Sequence, residues 1–207
     1  MDKRWNHSIQ YHRVLLGSLP PDANTVLDVG CGVGTLTQSL TGKASRIVGI
    51  DLDPSSIASA RAATRGNVEY IVGDFLTYPF EPESFDCVLS VATLHHVDFA
   101  AGLRRMRELT KPGGFVGVVG LARSAGIQDY ALAVPAFITS RVLRAVKGYW
   151  EHPSPQAWPP PESWASARRI AERELPDTRF RRHLLWRYSL TWRKPIRESD
   201  ERTPPPP

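Results

Sequence analysis

Residues 26–35 read VLDVGCGVGT: an apolar run, an acid at Asp28, and glycines at Gly30, Gly32 and Gly34. The run predicts a buried strand, and the glycines predict a sharp bend that lets a ligand lie against bare backbone. A dinucleotide fingerprint, GxGxxG, needs glycine at position 35, where Thr35 stands. Asp28, two residues before the first glycine, would repel a pyrophosphate, so the bend favours a ligand that carries positive charge and no phosphate.

Outward from the bend, strand and helix alternate. RIVGID (46–51) is a second buried strand, and the run from Pro54 is a helix with Asp53 as its N-cap and Pro54 at its first position. VEYIVGD (68–74) and SFDCVLSV (84–91) are the third and fourth strands. A helix capped by Asp98 follows, with Leu103, Met106 and Leu109 at helical spacing until KPGG (111–114), and FVGVVG (115–120) is the fifth strand. Short apolar strands separated by helices call for parallel pairing, hence a doubly wound α/β sheet with its ligand beyond the carboxyl ends of the strands. Before the bend, residues 3–16 predict a short helix that LPPDAN stops. After residue 120 come an apolar helical segment (130–150), a Pro-rich loop (152–162), a helix (163–175), and two strand-like runs, 178–185 and 187–194, with a turn at Trp186 and Arg187. Trp186, Trp192 and Phe180 read as sheet residues, and the closing TPPPP as a disordered tail.

Three acids stand at the ends of three successive strands, Asp28, Asp51 and Asp74. Asp51, seventeen residues after Gly34, is placed to accept both hydroxyls of a ribose. Asp74 is placed to accept from an adenine amine, with Phe75 as a donor or wall; alone, an Asp after Gly is a turn residue. S-adenosylmethionine, with a sulfonium, an amine and no phosphate, suits this set. Asp28 would take its amino-acid end, and would also satisfy loop backbone donors.

In register, VLDVGCGVGTL, VGIDLDP, VEYIVGDFLTYPF, FDCVLSVATLHHV and LTKPGGFVGVVG resemble the class I S-adenosylmethionine-dependent methyltransferases, in the style of the ubiquinone/menaquinone-biosynthesis type and its small-molecule relatives. The likeness covers residues 26–120. It implies a Rossmann-like seven-stranded sheet whose last strand is antiparallel, with a helical insertion after strand five. It also implies cofactor contacts from Asp28, Gly30, Gly32, Gly34, Asp51, Leu52, Asp74, Phe75 and the loop opening at Ser90. Residues 1–203 then form one domain: a lid helix (1–20) bringing Tyr11 and His12 over the cofactor, a cofactor core (21–120), an acceptor-pocket insertion (121–162) and a closing helix with the last strands (163–195), ahead of a tail at 204–207.

Methyl transfer from a sulfonium rests on positioning, and a base is needed only where the acceptor must lose a proton. His95 and His96 follow the fourth strand, where one is a base or orients the acceptor, or where both belong to an ordinary loop; sequence does not separate them. No Asn/Asp-Pro-Pro-aromatic run follows the fourth strand, which speaks against base amines and Gln amides as acceptors. Tyr130, Phe137, Trp150 and Trp158 are candidates for an apolar acceptor wall, with ordinary packing as the alternative for each.

Charge separates the two parts, −1 in the first 120 residues and +6 in the last 87, without a block of five consecutive basic residues. A solvated basic surface is favoured over a nucleic-acid stripe. Cys31 and Cys87 form neither a CxxC pair nor a disulfide framework. A membrane face on 137–150, using Arg141, Arg144 and Lys147, is disfavoured, and without a signal-like segment the expected location is cytoplasmic. The expected activity is O- or N-methylation, ahead of C-methylation, of a small organic acceptor. The alternatives are an RNA methyltransferase, a nicotinamide-dependent oxidoreductase, and a cofactor-binding protein that transfers nothing. Oligomeric state is left open.

Overall fold

The computed structural model describes residues 5–64, 66–125, 129, 133–150 and 159–196. The strands are β1 (Thr25–Val29), β2 (Arg46–Asp51), β3 (Val68–Val72), β4 (Phe85–Val91), β5 (Thr110–Leu121), β6 (Arg179–His183) and β7 (Arg187–Arg193). They form one sheet in the order β3-β2-β1-β4-β5-β7-β6. The first five are parallel, and β7 runs antiparallel to both β5 and β6. Strand order reverses between β1 and β4, so a crevice opens at the carboxyl ends of those two strands.

Alternation along the strands fills two layers. Leu27, Val48, Val88 and Val116 pack on one face with Leu103 and Met106 of α4 (Phe99–Leu109) and with Trp164, Ala167 and Ala171 of the helix Trp164–Glu174. Val26, Ile47, Leu89 and Val119 pack on the other face with Trp5, with Leu15 of α1 (His12–Leu16) and with Leu36 and Leu40 of α2 (Thr35–Leu40). The helix α3 (Pro54–Ala63) starts where expected, because the Asp53 carboxylate accepts the N–H groups of Ser55 and Ser56 and is held well below the usual carboxylate range, at about 2, by the serine hydrogen bonds. The insertion after β5 contains α5 (Ala133–Lys147), and Trp164–Glu174 is α6.

Three expectations shift. The N-terminal helix is a 3-10 turn, Ile9–Tyr11, followed by the short α1. The KPGG segment lies within β5: between the pairs Phe85↔Thr110 and Cys87↔Phe115 β5 advances five residues against two of β4, leaving Gly113 at positive φ. The last hairpin turns at 184–186, and not at Trp186 and Arg187. Leu185 and Trp186 are both left-handed, as a tight hairpin requires, so Trp186 is a turn residue and Arg187 is the first residue of β7. Phe180 and Trp192 are in strands as expected. Tyr130, Trp158 and the tail at 204–207 lie outside the described residues. Among the described residues no helix is long and apolar enough to cross a membrane.

Candidate active site

A cavity of about 580 Å³ opens at the carboxyl ends of the strands, within the usual range for small-ligand sites of ~300–1,000 Å³. One half is built by the tips of β1, β2 and β3. Gly30 sits at φ +67°, and a Cβ there would stand 2.1 Å from the Thr93 side chain, so only glycine lets the two loops close. Asp28 is 1% exposed and lines the cavity; its carboxylate accepts the Thr37 hydroxyl at 2.6 Å, and burial pushes its pKa up to about 7. The loop donors expected to fall to Asp28 go instead to Asp51, whose two oxygens accept the N–H of Gly32 at 2.8 Å and of Asp53 at 2.9 Å. Each carboxylate oxygen keeps a further lone pair for a ligand hydroxyl. Asp74 accepts the Leu76 N–H at 2.9 Å, so its turn role and its place on the wall coexist. Phe75 is buried, and Leu52 leans over the rim at 65% exposed.

This half suits the expected nucleoside. Its polar wall is Asp28, Asp51, Asp53 and Asp74 with no Lys or Arg among them, and the glycine bend leaves backbone bare. Such a set repels phosphate and receives a cation and hydroxyls.

The other half is assembled from distant segments. Beyond β4 the chain turns through Ala92, at φ +54°, into a 3-10 turn, Leu94–His96, that carries both histidines to the wall. Their rings lie 4.0 Å apart, but their surroundings differ. His95 Nδ1 is buried with no partner among the described residues, and burial, then His96 and Arg187, bring its pKa down to about 4; His96 is exposed. The N-terminal segment contributes Asn6, His7 and His12. His7 Nε2 and Ser140 Oγ are 3.0 Å apart, and burial, then Arg187 and Arg144, lower its pKa to about 4; burial alone does the same to His12. Tyr149 packs edge-on against Trp5 and His7 beneath the Arg144 guanidinium. Arg187 completes the wall from the start of β7, opposite Leu121.

Three residues expected at the cofactor are off the cavity wall, although Val91, Ala92 and Thr93 of the loop that opens at Ser90 are on it. Tyr11 is off the cavity wall because its hydroxyl donates to the Leu184 carbonyl at 2.6 Å, which clamps the β6–β7 turn. Ser90 is fully buried within β4, its hydroxyl donating to the Val29 carbonyl at 3.1 Å. Gly34 caps α2 at φ +77°, where a Cβ would meet the Tyr70 hydroxyl at 2.5 Å, so its task is packing. In the insertion, Phe137 is exposed and Trp150 is off the wall, its N–H bonded to the Trp5 carbonyl at 2.8 Å; Tyr149 takes the place expected of them. Burial raises the pKa of both thiols, that of Cys87 to about 12, which disfavours their thiolate forms.

Sheet order, acidic strand tips and glycine bend define the class I methyltransferase fold. Comparison with known proteins agrees. Residues 27–118 match the methyltransferase domain family. An uncharacterized methyltransferase of Mycobacterium tuberculosis is 32% identical over 200 residues, 95% of this chain and 100% of that one. A demethylmenaquinone methyltransferase of Mycolicibacterium gilvum is 30% identical over 167 residues, 77% of this chain and 71% of that one. The fold recurs in a Pyrococcus horikoshii protein, with TM-score 0.64, 18% identity and coverage of 90% and 89%. It recurs again in a Haemonchus contortus phosphoethanolamine N-methyltransferase solved with S-adenosylhomocysteine, with TM-score 0.62, 16% identity and coverage of 92% and 53%. The chain belongs to the S-adenosylmethionine-dependent methyltransferase family.

Proposed function

We propose that the protein moves a methyl group from S-adenosylmethionine to an oxygen or nitrogen of a small organic acceptor. The observation that carries this reading is the single cavity in which an acidic nucleoside half meets a half lined by His95, Tyr149 and Arg187. When bound, S-adenosylmethionine supplies a sulfonium methyl whose carbon the acceptor's lone pair takes while the C–S pair stays on sulfur. Asp28, Asp51 and Asp74 would hold the nucleoside at its amino-acid end, ribose and base, with Gly30, Gly32 and Phe75 as the surface beneath it.

His95 is neutral near pH 7 and, with its pKa near 4, a weak base. Its unpartnered Nδ1 is better suited to hold the acceptor by a hydrogen bond than to strip it of a proton. That separates it from His96, which stands in solvent. The quinone-pathway methyltransferases among the relatives support a small acceptor, and the walls of this half, from Tyr149 to Leu121, support an organic one.

The test is calorimetric titration with S-adenosylhomocysteine, then a labelled-methyl screen against phenols, quinols, amines, organic acids and RNA. Label is expected on a small molecule; transfer confined to RNA overturns the reading. His95→Ala is expected to lower kcat about 10- to 100-fold through lost orientation, with adenosylhomocysteine affinity unchanged, and His96→Ala to have little effect.

A further inference from the structure

Several described cations face a carboxylate: Arg46 meets Glu69, Arg105 meets Glu108, Lys111 meets Asp86, and Arg182, five residues before Arg187, meets Asp129. Arg187 does not. One terminal nitrogen donates to the Leu185 carbonyl at 3.2 Å and the other to Ser8 Oγ at 3.3 Å, while among the described residues buried Nε has no partner and no carboxylate lies within 4.0 Å. The groups facing it from other elements are His7, His95, Tyr11 and Tyr149, none of them a carboxylate; burial brings both histidines down to about 4 and pushes Tyr11 up, so these three carry no charge near neutrality. A cation removed from water without a counter-charge is costly, and here burial pulls even the guanidinium down to about 10. It stands on a cavity wall, where an anion can reach it.

Building on the methyl-transfer reading, we propose that Arg187 is a specificity-determining residue and that the acceptor is an organic acid whose carboxylate pairs with it. The planar guanidinium fork matches a carboxylate in two parallel hydrogen bonds. A carboxylate in the cavity reaches it from two sources, the acceptor or the amino-acid end of the cofactor, and position favours the acceptor. β7 lies three strands from β1 in the sheet, about 14 Å at the usual spacing of ~4.8 Å, and Arg187 pairs with Leu121 at the end of β5, away from Asp28 and the glycine bend. His7 and Tyr149, whose ring centroids lie 5.6 Å apart on the same wall, would receive the apolar body of such an acid.

The experiment titrates benzoate, benzamide, octanoate and octanamide into the full chain saturated with S-adenosylhomocysteine. At least one acid is expected to bind, with its amide about 30-fold weaker or worse. Arg187→Met is expected to weaken the acid about 100-fold while leaving adenosylhomocysteine affinity unchanged, and Arg187→Lys to restore part of the loss. Acid and amide binding alike, or neither acid binding, overturns the proposal on the unaltered protein, so it stays exposed even where a variant folds poorly. It is also overturned if Arg187→Met weakens adenosylhomocysteine but not 5′-methylthioadenosine, which lacks the carboxylate, since Arg187 would then serve the cofactor. If adenosylhomocysteine itself does not bind, the methyl-transfer reading fails, and this inference with it.

Discussion

The two halves of the cavity are built on opposite plans. On the nucleoside side, Asp28, Gly30, Asp51 and Asp74 come from successive strand tips within residues 28–74, and the carboxylates are already held: Asp28 by Thr37, Asp51 by Gly32 and Asp53, Asp74 by Leu76. On the proposed acceptor side, His7, His95, Tyr149 and Arg187 come from four segments that span most of the chain, and two of the polar groups, His95 Nδ1 and Arg187 Nε, have no partner among the described residues. A satisfied wall is rigid and pre-set for one ligand. An unsatisfied wall indicates what a ligand would bring, and on the proposal above that is a hydrogen-bonding group and a negative charge.

The contrast breaks most severely at Gly30. Valine there must take a left-handed backbone, costing about 1–2 kcal/mol, and must push its Cβ into Thr93, costing about 1–3 kcal/mol more. The expected outcome for Gly30→Val is loss of measurable adenosylhomocysteine binding together with a drop of about 3 kcal/mol in stability by denaturant melts. Unchanged binding would show that the bend does not shape the nucleoside side. Because Thr93 stands between the bend and the His95 turn, this change reaches both halves.

Asp28 offers a finer cut through the nucleoside side. Its folded pKa, near 7, stands above the unfolded value near 3.8, so the folded protein binds the extra proton between those limits. Stability of the ligand-free protein is therefore highest at the acid end of that window and falls as pH rises toward 7, by at most about 4 kcal/mol. Asp28→Asn, which keeps the shape and removes the titration, is expected to flatten that slope in melts at pH 4.5, 5.5, 6.5 and 7.5. A slope that survives the substitution assigns it to other groups. Adenosylhomocysteine binding near pH 6.5 is expected to release protons to the buffer, as a cation beside Asp28 draws the carboxyl into its charged form.

The same contrast explains what the sequence discloses. Asp53 before Pro54, the acids at strand tips and the glycine bend are local patterns, in which a few residues of spacing fix both element and role, and the sheet follows from their repetition. Arg187 is invisible at that level: it reaches the cavity only because β7 pairs with β5 in a register that sets it opposite Leu121, and because Leu185 and Trp186 accept left-handed backbone to turn one residue earlier than expected. His95 and His96 are adjacent in the chain, and only the 3-10 turn after β4 half-buries one and exposes the other. Ser90 misleads because β4 is central and its hydroxyl is consumed by the Val29 carbonyl before any ligand reaches it.

Tyr11 gives the smallest and most discriminating effect. A lid residue facing the cofactor would, on losing its hydroxyl, weaken adenosylhomocysteine. In the structure that hydroxyl donates to Leu184 while the ring packs 4.9 Å from His183, so the residue braces the turn that delivers Arg187. Tyr11→Phe removes one hydrogen bond, worth about 1 kcal/mol, which for a chain of this length lowers the melting temperature by about 2–4 °C. Adenosylhomocysteine affinity is expected to stay within error, whereas affinity for the bound acid falls a few-fold as the guanidinium loses its fixed position. A tenfold loss of adenosylhomocysteine affinity with the acid unaffected would return Tyr11 to the nucleoside side and remove the physical basis for separating the two halves at the β6–β7 turn.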